Sequence, residues 1–212
     1  MQERATVPRG RHAPPLEVRL NVQRGRLFEA AAAVFARVGY ADASAEAISR
    51  EAGMSKATFY EHFDNKEECI LALFDAAVEE TQRVMAEAAM AAGEDPVRRL
   101  RAGIAAFLEQ VATHPNEAQT LLVEIIGAGP RAAERRDRIL GSFADVVTAE
   151  NEALARTGQL SRLASPHDAF AIVGAVAELA SRQLRLGVPR DIRELESTIE
   201  RMILGLLSRA ER

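Results

Sequence analysis

Two short helical patterns separated by a glycine, within residues 44–66, constrain the fold of this 212-residue chain more than any other feature. Ser44 has a hydroxyl that can cap the start of the first helix. Gly53 follows Ala52, at a point where a chain leaving a helix often needs a positive φ. Ser55 then offers a second cap. The pattern predicts a helix-turn-helix, an arrangement whose second helix enters the major groove of DNA.

The second helix, from Ser55 to about Phe63, contains few apolar residues. Phe59 and Phe63 are four residues apart, so they share one face and can anchor the helix to its own domain. The side chains left to face outward are hydrogen-bonding types, which suit base edges and phosphate oxygens. They are Lys56, Thr58, Tyr60 and His62.

Residues from about Gln23 to Phe74 resemble the TetR family of bacterial transcription regulators. The resemblance is carried by Leu27-Phe28-Glu29-Ala30-Ala31, Phe35, Gly39-Tyr40, Ile48, Ala52-Gly53-Met54-Ser55-Lys56, Thr58-Phe59-Tyr60, His62-Phe63 and Asn65-Lys66-Glu67-Glu68. It implies an all-α homodimer with an N-terminal DNA-binding domain. It also implies a larger C-terminal domain of the kind that often binds a small ligand.

The resemblance assigns roles to individual residues as well. Tyr60 and Lys66 match positions that commonly touch phosphates, and Ser44 matches a capping position that often meets phosphate. The remaining matches lie on the recognition-helix face; they are Ser55, Lys56, Thr58 and His62. For each of them the alternative is an ordinary exposed residue. Glu61 departs from the neutral or basic residues expected beside DNA, and either points away or accepts a hydrogen bond from cytosine.

Charge is distributed unevenly along the chain. Residues 1–66 carry ten Lys and Arg against eight Asp and Glu, whereas the remaining residues carry 17 against 23. The positive excess therefore lies at the helix-turn-helix end, as expected of a DNA-binding protein. No apolar run approaches the ~18–20 residues of a membrane span, so we expect a soluble, cytoplasmic protein with no membrane partner.

The residue types give no support for catalysis. The four histidines are far apart and lack zinc-site spacing, and no serine lies in a G-x-S-x-G elbow. We therefore predict that the chain is not an enzyme and needs no cofactor or metal. The single cysteine, Cys69, follows two glutamates, which would raise its pKa. We expect it to pack as a small apolar residue, with redox sensing as the alternative.

The apolar periodicity predicts an all-α fold of about nine helices in three regions. Residues 1–20 are expected to be a flexible basic tail, 21–66 the helix-turn-helix domain, and 67–212 a helical regulatory and dimerisation domain. The first long helix is expected from about Val22 to Val38, stopped by Gly39. The tail is either solvated or an arm that adds phosphate or minor-groove contacts.

The last two predicted helices, residues 168–186 and 191–208, are candidates for a dimer surface because both carry wide apolar stripes. The alternative is that they only fill the core of one protomer. The candidate interface residues are Phe170, Val173, Val176, Leu184, Ile192, Leu195, Ile199, Met202, Ile203 and Leu206.

A ligand cavity, if present, should lie among the helices at residues 96–126, 131–156 and 168–186. The apolar candidates for its wall are Phe107, Leu121, Leu122, Ile125, Phe143 and Phe170, and the polar ones are Glu124, Glu178, Arg182 and Gln183. Each of them has core packing or a surface charge as its alternative.

These features predict a homodimeric repressor that reads a roughly palindromic operator in double-stranded DNA. The half-sites should be about one helical turn apart, ~34–36 Å, or farther. By linkage, a small-molecule effector that favours one spacing of the recognition helices would lower the affinity for DNA. The alternative is a protein of the same fold that acts through a protein partner or as an activator.

Overall fold

The structure, a computed structural model, describes residues 15–156, 158 and 161–207. These residues form nine α-helices and two short 3-10 helices, and no strand occurs among them. The α-helices are α1 (Leu16–Asp42), α2 (Ala45–Ala52), α3 (Lys56–His62), α4 (Lys66–Ala91), α5 (Pro96–Thr113), α6 (Pro115–Leu122), α7 (Pro130–Arg156), α8 (Pro166–Leu186) and α9 (Glu196–Leu207). The 3-10 helices span Glu124–Gly127 and Ile192–Leu195. The predicted all-α fold is confirmed.

Helix α1 begins earlier than the sequence predicts. It starts at Leu16, directly after Pro15, and Leu16 and Leu20 are exposed. The residues ahead of Val22 are mostly good helix formers without an internal proline, so nothing stops the helix there. The prediction of a flexible tail is therefore wrong for residues 16–20, and residues 1–14 lie outside the described part of the chain. Gly39 interrupts α1 as expected, with φ 77° and ψ 162°.

Helices α1–α3, which we call the N-terminal unit, do not bury a core by themselves. Their buried side chains, among them Leu27, Phe35 and Phe59, form one cluster with residues of α4 from Cys69 to Val78. Three buried residues from much later in the chain complete this cluster, which we call the N-terminal core; they are Ile125, Ala128 and Ala132. The predicted boundary at residue 66 therefore crosses a shared hydrophobic core.

A second cluster, the C-terminal core, lies between α5, α6, α8 and α9. Helix α5 contributes Ile104, Phe107, Leu108 and Val111, and α6 contributes Ala118 and Leu122. The 3-10 helix at 192–195 and α9 pack against α5, and the ion pairs Arg101–Glu200 at 2.6 Å and Arg193–Glu109 at 2.6 Å lie along this contact.

This packing corrects part of the predicted dimer surface. Ile192, Ile199 and Ile203 are at most 5% exposed within a single protomer, because α5 packs against both the 3-10 helix at 192–195 and α9. Side chains that are already buried cannot bury further surface against a partner, so their assignment to the interface is wrong. Phe170 remains exposed, and the other predicted interface residues are half-buried: Val173, Val176, Leu184, Leu195, Met202 and Leu206.

The residues predicted to line a ligand cavity do not converge on one place. Phe107 and Leu122 belong to the C-terminal core, whereas Ile125 belongs to the N-terminal core. Leu121 packs against both cores, and Phe143 against the N-terminal core. The remaining four apart from Glu124 lie on α8. Phe170, Glu178 and Arg182 are exposed, and Gln183 is half-buried with its side-chain amide donating to the Pro189 carbonyl at 3.2 Å. The three exposed side chains do not line an enclosed cavity within one protomer, so the structure gives this part of the predicted wall no support.

Candidate nucleic-acid interface

The predicted helix-turn-helix is present in α2 and α3, and its ends are closed as the sequence predicts. The Ser44 hydroxyl accepts a hydrogen bond from the Ala47 amide at 3.2 Å, and the Ser55 hydroxyl accepts one from the Thr58 amide at 3.1 Å. Gly53 adopts φ 65° and ψ 36°, the left-handed conformation that glycine reaches most easily. The Met54 amide then donates to the Ser49 carbonyl at 2.8 Å, which closes the turn.

Helix α1 fixes the position of this motif. The Arg26 guanidinium donates to the Ala52 carbonyl at 2.8 Å and so caps the end of α2. Phe59 is fully buried, with its ring centroid 5.4 Å from that of Phe63. Phe63 in turn lies 5.7 Å from Phe28 of α1. Because this aromatic contact holds one side of α3 against α1, the opposite side faces solvent.

The exposed side of α3 is formed by four residues, Lys56, Ala57, Tyr60 and Glu61. Tyr60 is 49% exposed, and the Lys56 ammonium lies 5.9 Å from the centroid of its ring. Ala57 was not among the predicted DNA-contact residues, because its side chain is apolar and carries no hydrogen-bonding group. Its spacing of three and four residues from Tyr60 and Glu61 is the signal that places it on the same face.

Three other predicted contact residues are less available. The Ser55 and Thr58 hydroxyls lie 3.0 Å apart and hydrogen-bond to each other, and Thr58 is half-buried. His62 is also half-buried, with its ring centroid 6.2 Å from that of Phe63. Its Nε2 atom is enclosed and has no hydrogen-bond partner among the described residues. Of the predicted α3 residues, Lys56 and Tyr60 therefore have the most exposed functional groups.

Lys66 is engaged inside the protein. Its ammonium donates to the carbonyls of Tyr40 and Ala41 at 2.8 Å each and of Ala43 at 3.1 Å. It also lies 4.5 Å from the centroid of the Tyr40 ring. An ammonium group has three donor hydrogens, so these three carbonyls use all of them. Lys66 thus joins the start of α4 to the last turn of α1 and to the residue that follows it.

Glu124, predicted as a polar residue of a ligand cavity, lies instead against the N-terminal unit. Its Oε2 accepts a hydrogen bond from the Tyr40 amide at 2.8 Å, and its Oε1 accepts one from the Gln119 side chain at 3.1 Å. The sequence interpretation missed this contact, since residues 40 and 124 are 84 positions apart and no local pattern joins them.

Two arginines of α7 are paired with acidic residues of α4. Arg131 lies 2.5 Å from the Glu68 carboxylate and 3.5 Å from that of Glu67. Arg135 lies 2.6 Å from Asp75. These pairs are partly exposed, so each stabilises the structure only weakly. They nevertheless place the first turns of α7 beside the helix that follows the recognition helix.

Cys69 is fully buried in the N-terminal core. Burial raises the pKa of its thiol to about 12, although Arg24 lowers it slightly. The reactive thiolate is therefore scarce at neutral pH, which favours the packing role over redox sensing. The described part of the chain contains no cluster of three metal-binding side chains and no helix suited to crossing a membrane.

Residues 27–73 match the family model described as bacterial regulatory proteins, tetR family. The chain is 28% identical over 117 residues to the HTH-type transcriptional regulator EthR of Mycolicibacterium smegmatis. The matched stretch covers 53% of this chain and 54% of EthR. The chain is 33% identical over 102 residues to the HTH-type transcriptional activator FasR of the same organism, covering 48% of this chain and 46% of FasR. The chain thus spans about half the length of these curated relatives.

The fold is similar over a longer range to a solved structure. The transcriptional regulator FadR from Bacillus subtilis, in complex with stearoyl-CoA, superposes with a TM-score of 0.72 at 18% identity. The superposition covers 89% of this chain and 99% of FadR. At this level of identity the similarity concerns the fold, and it extends through the C-terminal helices.

Proposed function

Because this chain belongs to the TetR family of bacterial regulatory proteins, we propose that it is a sequence-specific, DNA-binding transcription regulator. One observation carries the proposal: Phe59 anchors α3 on its buried side, while Lys56 and Tyr60 stand exposed on the other. A helix held in this way presents hydrogen-bonding groups to the major groove without rearranging its own domain. Ser44 and Ser55, exposed at two helix starts, add phosphate contacts in this proposal.

The regulator acts as a homodimer in this proposal. The exposed Phe170 and the half-buried Val173 and Val176 leave an apolar strip on α8 that a second copy can cover. A two-fold dimer holds two recognition helices side by side, so its operator is a palindrome with half-sites about one helical turn apart, ~34–36 Å, or farther. The half-buried Met202 and Leu206 of α9 pack against the C-terminal core and keep part of their surface exposed for the same partner.

We further propose that the dimer is a repressor released by a small, partly apolar ligand. The FadR structure, which has a similar fold, is a complex with stearoyl-CoA, and this supports an acyl-type effector for this chain. A ligand that binds one arrangement of the dimer better than the other lowers DNA affinity by linkage. The relative FasR is named an activator, so activation without ligand release is the second candidate.

The recognition role is tested by replacing Lys56 with alanine and Tyr60 with phenylalanine. The probe is a labelled duplex carrying the DNA upstream of this protein's reading frame, measured by fluorescence anisotropy. Lys56→Ala should relax specificity by about 1–3 kcal/mol at one base pair, because a lysine donates to guanine acceptors. Tyr60→Phe should weaken all sequences alike by about 0.5–1.5 kcal/mol, because it removes only a phosphate hydrogen bond.

The two variants serve as controls for each other, since both residues are exposed on the same helix. An equal loss from Lys56→Ala on matched and mismatched sites would contradict the base-reading role. Failure of the wild-type protein to prefer the upstream duplex over unrelated DNA would contradict the proposed function itself.

Dimerisation is tested by Phe170→Glu. Phe170 is 40% exposed within one protomer, so a glutamate there costs little in the monomer but places two like charges near the two-fold axis. The expected result is a monomer in sedimentation at micromolar concentration, with operator affinity reduced at least about tenfold. Met90→Glu is the control, because Met90 is 73% exposed and lies on α4, outside the proposed interface. Equal sedimentation of both variants and wild type would refute the interface.

A further inference from the structure

We propose that Glu124 is a positioning residue, which fixes the N-terminal unit to the C-terminal helices by holding the backbone of Tyr40. The inference deepens the proposed function and rests on it, because what Glu124 positions is the recognition helix. It assigns the control of DNA binding to a contact between the 3-10 helix at 124–127 and the end of α1.

The backbone of Tyr40 is held from two sides. Its amide donates to Glu124 Oε2 at 2.8 Å, and its carbonyl accepts from the Lys66 ammonium at 2.8 Å. Gln119 donates to the other carboxylate oxygen of Glu124 at 3.1 Å and so orients the carboxylate. One residue in the last turn of α1 is thereby joined to α4 and to the 3-10 helix that follows α6.

The break in α1 makes this amide available. Gly39 has ψ 162° in place of a helical value, which turns the peptide group between residues 39 and 40 away from the helical hydrogen-bond ladder. The Tyr40 amide therefore needs an acceptor from elsewhere, and Glu124 supplies it. The approach is close, since a Cβ atom built on Gly39 would lie 3.6 Å from Glu124 Oε2.

The residue next to Glu124 makes the attachment rigid. Ile125 is fully buried in the N-terminal core. Two consecutive residues, the charged Glu124 and the apolar Ile125, therefore hold the 3-10 helix against the N-terminal unit. Helix α6, which leads into this 3-10 helix, also packs against both α1 and α4. A change in the position of α6 is therefore transmitted through Glu124 to the last turn of α1.

Loss of this contact should weaken the DNA binding of a dimer more than the DNA binding of one N-terminal unit alone. Both recognition helices must hold one spacing to engage two half-sites. An N-terminal unit that is attached more loosely must be ordered when it binds DNA, and this loss of conformational entropy lowers the affinity for DNA. The expected signature is weaker binding to a correctly spaced operator together with greater tolerance of a wrong spacing, whereas non-specific binding stays the same.

The test compares Glu124→Ala, Glu124→Gln and the control Glu117→Ala in the full chain. Glutamine keeps an oxygen that can accept from the Tyr40 amide, and Glu117 is a carboxylate in the first turn of the adjacent α6. In Glu124→Ala, hydrogen exchange at the Tyr40 amide should speed up about tenfold or more, because a hydrogen bond to a charged group is lost. Glu124→Gln and Glu117→Ala should stay within about threefold of wild type.

The DNA measurement uses labelled duplexes of the upstream region, whose half-sites are located by footprinting, and the same duplexes with one base pair inserted between half-sites. Glu124→Ala should lose about tenfold in affinity for the natural spacing and less for the altered one. Glu124→Gln and Glu117→Ala should match wild type on both.

The two readouts separate the possible failures. Unchanged exchange at Tyr40 in Glu124→Ala overturns the proposed contact whatever happens on DNA. Faster exchange with unchanged affinity and spacing preference overturns the positioning role and leaves the proposed function intact. Absence of DNA binding by the wild-type protein overturns the proposed function, and the positioning role with it, while the exchange data still report on the contact.

Discussion

Replacing Ile125 with alanine is expected to lower the free energy of unfolding by about 2–5 kcal/mol. The side chain is fully buried in the N-terminal core, where it packs with residues of α1 and α4 although it follows them by about fifty positions or more. Truncation leaves a cavity that the surrounding helices can fill only in part. Chemical denaturation followed by circular dichroism measures the loss.

Ile126→Ala is a closely matched control, since the same substitution is made one position later. Ile126 is 52% exposed, so its loss should change the free energy of unfolding by less than about 0.5 kcal/mol. A loss of similar size from the two variants would contradict the shared core. So would a wild-type denaturation curve in which the N-terminal unit unfolds in a separate transition, because a shared core favours a single one.

The helix-turn-helix was predictable because its determinants are local. Ser44, Gly53 and Ser55 act on the backbone within three residues of themselves, and the structure places a cap, a left-handed turn and a second cap at these positions. The spacing of Phe59 and Phe63 likewise determines which side of α3 is buried. Such features depend on the chain neighbours that the sequence displays directly.

The positions of the later helices depended on contacts that the sequence does not display. The apolar stripe with Ile192, Ile199 and Ile203 was visible in the sequence, but it was assigned to a dimer surface, whereas it is buried within one protomer. The helix α5 of the same protomer and a helix of a second copy present the same kind of apolar surface to such a stripe. The periodicity alone could not distinguish these two partners.

Glu124 shows the same limit for a polar residue. Its sequence surroundings, an apolar segment from Leu121 to Ile126, suggested a carboxylate facing a cavity. The actual partner is the backbone amide of Tyr40, and every non-proline residue carries such an amide, so no residue type marks it. The interruption of α1 at Gly39 was predictable from the sequence, but the acceptor of the hydrogen bond from the Tyr40 amide was not.

Lys66→Met is expected to lower the free energy of unfolding by about 1.5–3 kcal/mol, because three carbonyl oxygens lose a charged donor. Methionine keeps most of the apolar stem, so the loss reports the donors of Lys66 rather than its packing. If the ammonium is fully used inside the protein, the dependence of DNA affinity on salt concentration should stay unchanged.

Lys56→Met supplies the reciprocal control. Lys56 is exposed on the recognition helix, so its loss should leave stability within about 0.5 kcal/mol of wild type while it weakens DNA binding. A reduced salt slope for Lys66→Met, with stability unchanged, would show that Lys66 contacts phosphate as the family resemblance implies, and that its bonds to residues 40–43 open on DNA. The opposite pattern would place Lys66, with Glu124, in the attachment that holds the recognition helix in position.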